Sequence, residues 1–433
     1  MTRTKLASAT LAALLCASVA HAAVPDYPVI ELQARSNLIV NDNGWNVPPG
    51  TSFNSITAAI NDNEQVAFTA GVVPIGGDLL RTGAGLWVGG HGAGGFVAIH
   101  ETGSSDPEAT MIISDRPSIN AGGDVAYYTS VDGGTYTLRR YDAVAGASAP
   151  VSMLPLTPSS LANPDITDEG TIGFKGRMGF GYGIAAVIGG AGTLYAVDTD
   201  VDAGSPYAYI YSPATDASGR IAVKVSTSDY DHNEIRLFEA GGGSERVVAD
   251  AASDPASPFA TFDNGLGLSD GGTVAVVVKL ADGNARAVYR FTPVAGGYEA
   301  TEIARVDAAG TIRAIDSFAP DVNDDGLVVF RASDVDGQAV YAGDGTSLVR
   351  IAGNGDVVAT DQGAGQIGQH DSSPVFSGAP TVNDQGDVAF VAGLHPEGDN
   401  QVEWGSGVFV AYADGAAPDD TVFADGFELP EGQ

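Results

Sequence analysis

Residues 382–390 read Val-Asn-Asp-Gln-Gly-Asp-Val-Ala-Phe, and residues 322–330 read Val-Asn-Asp-Asp-Gly-Leu-Val-Val-Phe. Seven versions of this phrase occur along the chain, 47 to 60 residues apart. Each one opens with a residue whose short side chain carries an oxygen, which can accept a hydrogen bond from the backbone two residues later and so favours a tight turn. These first turn positions are Asn61, Asn120, Thr167, Asp216, Ser269, Asn323 and Asn383.

The third residue after this position is Gly in six of the seven copies, which predicts a type I turn between two antiparallel strands. Glu64 takes the place of Gly in the first copy, and we expect that turn to be strained or rearranged. Nearly continuous apolar runs follow the turns, as at residues 328–330 and 388–390. Such runs predict strands that are covered on both faces.

Each unit continues with two more short strands separated by Gly-rich turns, for example residues 339–342 and 348–351. Four short antiparallel strands in a unit of about 50 residues predict one blade of a β-propeller. The predicted fold is therefore all-β, a seven-bladed β-propeller of four-stranded antiparallel blades with 28 strands. The alternative is a string of separate small β domains, which the absence of Ser- or Pro-rich linkers disfavours.

The seventh unit lacks a fourth strand of its own. Residues 30–35, Ile-Glu-Leu-Gln-Ala-Arg, resemble residues 300–305, Ala-Thr-Glu-Ile-Ala-Arg, which form the predicted fourth strand of the fifth unit. We therefore expect an N-terminal strand to complete the last blade, which closes the ring and removes open sheet edges.

The two ends of the chain differ from the repeats. Residues 1–22 predict a signal peptide, with Arg3 and Lys5 before an apolar run and a small-x-small cleavage site at residues 20–22; the alternative is an uncleaved anchor. Residues 23–415 are assigned to the single propeller domain. Residues 416–433 are a tail and a candidate sorting tag, or else a frayed end. The protein is thus predicted to be exported and periplasmic, cell-surface or secreted.

Composition excludes several classes of function. Cys16 is the only cysteine, so the mature chain has no disulfide, thiolate metal site or cysteine nucleophile. Without Arg3 and Lys5, 18 basic residues stand against 54 acidic ones, a net charge of −36. This charge argues against nucleic acid and anionic membrane surfaces as partners and favours cations or basic partners. The alternative is that the charge serves solubility alone.

The repeat resembles a family of exported bacterial proteins built from tandem Asn-x-x-Gly-x-x-Ala-Phe units. Residues 383–390 are the best copy, and the resemblance covers residues 29–412. It implies a propeller-like architecture and no particular reaction. Residues 422–428, Val-Phe-Ala-Asp-Gly-Phe-Glu, look like a C-terminal tag of exported proteobacterial proteins.

Candidate functional residues lie in the loops expected on one face, which join the second strand to the third and the fourth to the next blade. We call this the long-loop face. Carboxylates and imidazoles there would suit metal binding or acid–base catalysis, although chance accounts for such grouping as well. The candidates are Asp229, Asp231, His232, Asp334, Asp336, His370 and His395, with His100, Asp132, Glu397 and Asp399 on the same face and His91 on the other.

A calcium site is a separate hypothesis. Asp198, Asp200 and Asp202 alternate as in calcium-binding loops, but Ala203 and Tyr209 stand where an EF-hand needs Gly and Glu. No other cofactor is indicated.

The sequence favours a binding module for a glycan, a peptide or an envelope protein, because it shows no recognisable catalytic constellation. The alternative is a hydrolase or lyase that acts on sugars or esters from the long-loop face. A structural or adhesive role is a third hypothesis. The protein is expected to be a monomer without a membrane span.

Overall fold

The computed structural model describes residues 23–36, 44–53, 56–72, 82–102, 110–114, 116–131, 136–370 and 374–413. The predicted signal peptide, Asp132 and the predicted tail lie outside these ranges. Within them, no helix is long and apolar enough to cross a membrane.

The described residues form seven antiparallel sheets, which confirms the predicted seven-bladed propeller. The first strand, β1, spans Val29–Arg35. The strands of blades 1 to 3 are β2 (Thr51–Ser52), β3 (Ala59–Ile60), β4 (Val66–Val72), β5 (Thr82–Gly90), β6 (Ala93–Thr102), β7 (Thr110–Ile113), β8 (Ser118–Ile119), β9 (Val125–Val131), β10 (Tyr136–Asp142), β11 (Ala147–Pro150), β12 (Ser160–Ile166), β13 (Ile172–Met178), β14 (Gly181–Ile188) and β15 (Ala191–Val197). The strands of blades 4 and 5 are β16 (Tyr209–Thr215), β17 (Ile221–Ser226), β18 (Asn233–Phe238), β19 (Ser244–Ala249), β20 (Phe259–Leu268), β21 (Val274–Leu280), β22 (Arg286–Val294) and β23 (Gly297–Arg305). The remaining strands are β24 (Ala314–Ile315), β25 (Asp321–Val322), β26 (Val328–Ser333), β27 (Gln338–Gly343), β28 (Leu348–Gly353), β29 (Val357–Thr360), β30 (Gly363–Ile367), β31 (Phe376–Val382), β32 (Val388–Pro396) and β33 (Gly405–Tyr412).

There are 33 described strands, five more than expected. Three of the additional strands arise because the innermost strand is split in blades 1, 2 and 6, into β2 and β3, β7 and β8, and β24 and β25. The other two are the hairpin β29–β30, which precedes blade 7 and pairs with the end of β32. Among the described residues of the other blades this hairpin has no counterpart, and the repeat pattern did not predict it.

The hydrophobic core is divided into seven clusters, each of which lies between two consecutive blades. The strands that follow the turns, such as β17 and β32, are buried along nearly their whole length, as predicted. The cluster between blades 7 and 1 closes the circle, and Ala34 of β1 and Phe68 of β4 are both part of it. A ring of this kind is stabilised by every interface, since no blade has an uncovered face.

The N-terminal strand completes blade 7, as predicted. β1 pairs antiparallel with β33, with Ile30 opposite Ala411 and Leu32 opposite Phe409. Leu32 packs in the cluster between blades 6 and 7, whereas Ala34 packs in the cluster between blades 7 and 1. Since successive side chains of a strand point to opposite faces and a bulge intervenes here, this one strand contributes to both interfaces.

The Asn-type turns have a second role that the sequence did not reveal. Their side-chain oxygen accepts a backbone N–H four residues later, as from Asp387 to Asn383 at 2.8 Å, rather than mainly two residues later. The side-chain amide meanwhile donates to the carbonyl of the same turn position in the next blade. Asn61 donates to Asn120 at 2.7 Å, and Asn383 donates to Asn61 at 3.1 Å. The amide therefore links neighbouring blades around the channel.

Glu64 keeps the turn geometry of the other copies at the cost of strain. Its φ is 58°, in the left-handed region that the corresponding glycines occupy, such as Gly123 at 82° and Gly386 at 89°. This conformation costs a residue with a side chain about 1–2 kcal/mol. The turn is thus strained rather than rearranged, which was one of the two expected outcomes.

Candidate functional site

The innermost strands line a central channel, and carboxylates surround its mouth at the end that carries the Asn-type turns. We define this acidic rim by the second residues of five turns: Asp62, Asp168, Asp270, Asp324 and Asp384. The rim is held by hydrogen bonds between blades, because the N–H of Asp384 donates to Asp62 at 2.8 Å and the N–H of Asp324 donates to Asp384 at 3.0 Å. No group of three or more described His, Asp or Glu side chains converges closely enough to hold a metal ion.

The position of Asp270 in the acidic rim raises its pKa. Burial and, after it, the charge of Asp324 together raise the pKa of Asp270 to about 6, while the N–H of Ala217 opposes the shift. The folded protein therefore binds this proton more tightly than the unfolded chain, in which the aspartate pKa has its ordinary value of 3.8. The contribution of Asp270 to the free energy of unfolding must accordingly decrease as the pH rises from about 4 to about 6.

We expect Asp270→Asn to raise the free energy of unfolding at about pH 8 by up to about 1 kcal/mol, since solvent in the channel mouth screens much of the repulsion. The variant retains an oxygen acceptor for Ala217 but removes the charge. Urea unfolding at a series of pH values measures the effect, and the decrease between about pH 4 and 6 should become shallower. Asp282→Asn, at an exposed turn of the same blade, is the control and should change neither quantity. An unchanged pH profile for Asp270→Asn would contradict the prediction.

A cluster of aromatic and basic side chains lies on the long-loop face where blades 3, 4 and 5 meet. We define this tyrosine–lysine patch as Tyr182, Tyr209, Tyr211, Tyr230, Lys175 and Lys224. Tyr209 is its centre, with ring centroids 5.5 Å from Tyr182, 4.8 Å from Tyr211 and 6.0 Å from Tyr230. Tyr230 is 63% exposed, so the patch presents an aromatic surface to solvent.

The two lysines occupy the same position in successive blades, the fourth residue of β13 and of β17. The ammonium of Lys175 lies 4.3 Å from the ring centroid of Tyr182 and 4.5 Å from that of Tyr209. The ammonium of Lys224 lies 4.2 Å from the ring of Tyr211 and donates to the carbonyl of Phe262 at 2.9 Å. Cation–π contacts with desolvated ammonium groups orient the rings and stabilise the charge.

Burial lowers the pKa of both lysines to about 8, although nearby carboxylates, Asp198 for Lys175 and Asp263 for Lys224, favour the charged form. Both lysines remain mainly protonated at neutral pH. The patch is thus a set of fixed rings with positive charges beneath them.

Asp229 and His232 form a pair at the edge of the patch, on the loop that also carries Tyr230. His232 Nδ1 lies 2.7 Å from Asp229 Oδ1. This hydrogen bond raises the pKa of His232 and lowers that of Asp229. The N–H of Asp231 donates to the same Asp229 oxygen at 3.0 Å, while the Asp231 side chain is exposed.

The other candidates in the long loops contact different partners. The Asp334 carboxylate accepts hydrogen bonds from the N–H of Asp336 at 2.7 Å and from the hydroxyl of Tyr341 at 2.6 Å, so it braces its own loop. Asp336 is exposed. His370 contacts Glu403 through Nδ1. His395 is buried and its Nδ1 lies 2.8 Å from the carbonyl of Pro396.

His100 and His91 each contact a tyrosine. His100 Nε2 lies 3.0 Å from the hydroxyl of Tyr127, and burial lowers the pKa of His100 to about 4. His91 Nδ1 lies 3.3 Å from the hydroxyl of Tyr412. Glu397 and Asp399 are exposed on the loop between β32 and β33. Of the predicted set, the structure pairs Asp229 with His232, beside Asp231 on the same loop. Asp334 and Asp336 lie together in blade 6, and His395, Glu397 and Asp399 lie in blade 7.

The candidate calcium ligands behave as loop braces. Asp198 is 1% exposed, and its carboxylate accepts hydrogen bonds from the N–H groups of Tyr182 at 2.8 Å and Val201 at 3.2 Å. The Asp202 carboxylate accepts the N–H of Gly204 at 2.8 Å, while Asp200 is exposed. Since the Asp198 oxygens already face backbone donors, calcium binding here stays a prediction without added support.

The tyrosine–lysine patch was not predicted from the sequence, in which the candidate residues were histidines and carboxylates. One signal was present, because Tyr207, Tyr209 and Tyr211 alternate along a single strand segment. Alternation at this period places side chains on one face of a strand. The lysines, by contrast, carry no local signal of contact with the next blade.

Comparison with known proteins gives a family. No curated protein matches the chain in sequence. Among solved structures, an oligogalacturonate lyase in complex with manganese is similar at 12% identity and a TM-score of 0.49, over 90% of this chain and 98% of that one. Puromycin hydrolase is similar at 13% identity and a TM-score of 0.43, over 86% of this chain and 53% of that one. A gluconolactonase from Xanthomonas campestris is similar at 13% identity and a TM-score of 0.36, over 68% of this chain and 84% of that one.

At such identities and TM-scores the likeness gives no information about activity. The family assignment is firmer, because a family model matches residues 176–426, more than half of the chain. The protein therefore belongs to the family of unknown function DUF7453.

Proposed function

We propose that this protein is an exported, monomeric binding module that recognises a glycan through the tyrosine–lysine patch. The observation that carries the proposal is the exposed Tyr230 ring, which adjoins Tyr209 and, through it, the buried ammonium of Lys175. A tyrosine offers an apolar face and a polar hydroxyl at a small entropic cost, which suits a surface that is both apolar and hydrogen-bonding.

The chemistry of the patch matches that of a sugar. A pyranose ring has a face of C–H groups that packs on an aromatic ring and a rim of hydroxyls that needs donors and acceptors. The patch supplies the rings, and the hydroxyls of Tyr182, Tyr209, Tyr211 and Tyr230 with the Asp229–His232 pair supply polar groups within one small area. Ligand sites typically combine an apolar lining with a few fixed polar groups in this way.

Binding to a glycan array, followed by titration of the best ligand, tests the proposal. We expect Tyr230→Ala and Tyr209→Ala to weaken binding at least about tenfold, because exposed aromatic anchors dominate such contacts. The control is Tyr298→Ala, a tyrosine on the outer strand β23 of blade 5 that donates to Glu245. Equal affinity of the wild type and Tyr230→Ala for every glycan bound would refute the role of the patch. Capture of a peptide or an envelope protein instead would favour the other two partner classes.

The second candidate is a hydrolase or lyase that uses the same face, and the Asp229–His232 hydrogen bond is the observation that favours it. Since this bond raises the pKa of His232, the imidazolium would serve better as a general acid than the imidazole as a general base. Turnover of a panel of oligosaccharides and esters that disappears in His232→Ala would support this reading. Turnover that persists in that variant would exclude His232 as the acid.

Export rests on the leader sequence and is tested directly. Mass spectrometry of the protein recovered from its native compartment should show a chain that begins at Ala23. An N terminus at residue 1 would contradict signal-peptide cleavage. Removing residues 416–433 tests the tail as a sorting tag, since unchanged localisation would argue against it.

A further inference from the structure

The half of the channel that opens toward the long-loop face contains a cavity of about 240 Å³. Its wall is made where each innermost strand is interrupted. In blades 3, 4, 5 and 7 these strands shift register at a bulge, and in blades 1, 2 and 6 they are split. Every blade contributes to the lining from the point where its innermost strand is interrupted. In order from blade 1 to blade 7, these lining residues include Thr57, Arg116, Asn163, Ser212, Gly265, Ser317 and Gly378. Bulges turn side chains away from the regular strand direction and are enriched beside functional sites.

Side chains from the preceding blade hold these interruptions in place. Lys224 of blade 4 donates to the carbonyl of Phe262 in blade 5 at 2.9 Å. Arg331 of blade 6 donates to the carbonyl of Gly378 in blade 7 at 2.7 Å. Asn163 has a left-handed backbone, with φ of 49°, a conformation that costs energy in residues other than Gly. Contacts between neighbouring blades therefore hold the wall of the cavity in place.

The lining has a distinctive chemistry. It contains the hydroxyls of Thr57, Ser212 and Ser317, the amide of Asn163 and the guanidinium of Arg116, and no described carboxylate lines it. Phe318, which is 41% exposed, adds an aromatic ring. In a chain with 54 acidic residues, a cavity walled by hydroxyls and one arginine stands apart from the rest of the surface.

Arg116 is partly buried and differs from the buried Arg35 and Arg331, whose guanidinium groups donate hydrogen bonds to the protein. None of the described residues accepts a hydrogen bond from it or forms an ion pair with it. Arg116 also borders the other half of the channel, where its charge acts at longer range on Asp321, whose carboxylate accepts the N–H of Val382 at 3.0 Å. The planar guanidinium thus retains its donors for a ligand, and a carboxylate is the group that matches this fork in two-point contact.

We propose that this cavity binds a hydroxylated carboxylate of about the size of one sugar acid, with its carboxylate on Arg116 and its hydroxyls on Thr57, Asn163, Ser212 and Ser317. The volume is below the range of about 300–1,000 Å³ that accommodates drug-sized ligands, which limits the occupant to a single small unit. The net negative charge of the protein does not prevent binding of a carboxylate. At physiological ionic strength, charges more than about 8 Å apart are largely screened by salt. The site is separate from the tyrosine–lysine patch.

Isothermal titration with glucuronate and galacturonate, against glucose and galactose, tests the proposal on the mature protein. We expect saturable binding of the acids and none of the neutral sugars. Arg116→Gln should weaken binding at least about tenfold, and Arg116→Lys should give an intermediate loss, because it keeps the charge but not the fork. Arg246→Gln removes an equal charge on the outermost strand of blade 4 and should leave the affinity unchanged.

Circular dichroism of each variant establishes that it is folded, and Arg116→Lys preserves the test if Arg116→Gln does not fold. Tyr230→Ala should retain uronate binding, which separates this site from the proposed glycan surface. The proposal is overturned if the wild type binds no uronate at concentrations up to about 20 mM. A dissociation constant above this value corresponds to a binding free energy too weak for a specific site. The proposal is also overturned if neutral sugars bind equally well, or if Arg116→Gln binds uronate with wild-type affinity.

Discussion

A chain that lacks residues 23–36 is expected not to fold into a stable monomer. This segment supplies β1, and the loss removes a strand whose side chains pack in the core clusters on both sides of blade 7. It also exposes β33 as an open edge, which is a template for aggregation. We expect the free energy of unfolding to fall by at least about 5 kcal/mol, which is the whole stability of many domains.

Size-exclusion chromatography and urea unfolding measure this effect on a chain that begins at residue 37. A chain from residue 23 to residue 415 is the matched control, since it removes a similar length from the other end and should unfold at the wild-type midpoint. Adding residues 23–36 as a separate peptide should restore the monomer, because the missing strand pairs through backbone hydrogen bonds. A truncated chain with the wild-type midpoint would show that the ring does not depend on this strand.

Replacing Arg35 should destabilise the protein more than any other single change at the closure. Its guanidinium makes two parallel hydrogen bonds to Asp361, at 2.8 Å each, and a third to the carbonyl of Trp404 at 2.8 Å. The two side chains are only 4% and 8% exposed. Arg35→Ala leaves the Asp361 carboxylate buried without its partner, which costs about 3–5 kcal/mol.

The pH dependence identifies the cause. Burial alone would raise the pKa of Asp361, but the hydrogen bonds from Arg35 outweigh it and hold the pKa below its ordinary value. The stabilisation from the pair is therefore present above the ordinary aspartate pKa and is lost as the pH falls through the lower folded pKa. The difference between wild type and Arg35→Ala should shrink on acidification, because a protonated Asp361 needs no counter-charge.

A double-mutant cycle measured by urea unfolding completes this test. Arg35→Met with Asp361→Leu should cost less than Arg35→Ala alone, since it removes the buried charge together with its partner. Arg305→Ala serves as the control, because its pair with Glu302 is 42% and 35% exposed and should contribute less than about 1 kcal/mol. If both arginine variants lost the same stability, burial of the Arg35 pair would not be the cause.

The hairpin β29–β30 explains why the closure exceeds a simple strand exchange. The hairpin carries Asp361 at its tip, and its strand β30 pairs with β32. Asp361 therefore contacts Arg35, the last residue of β1. Neither its position nor its contact with Arg35 follows from the repeat, because it interrupts the repeat. The closure thus combines strand β1, which the sequence predicts, with the contact between the hairpin and Arg35, which only the tertiary structure shows.

The sequence by itself determined the ring, the number of blades and the strand that closes it. Turn geometry and strand periodicity depend on residues within a few positions of one another, so seven local copies report seven blades, and residues 30–35 report the missing strand by their likeness to residues 300–305. Tertiary structure alone decided which side chains meet. Tyr182, Tyr209 and Tyr230 are brought together from two blades. Arg116 lines the cavity from the interruption between β7 and β8 in blade 2. Apart from Asp229 and His232, the predicted histidines and aspartates that the structure describes are spread over several loops. Each loop of a propeller stands at its own angle around the axis, so the distance between loops is set by packing between blades rather than by any pattern along the chain.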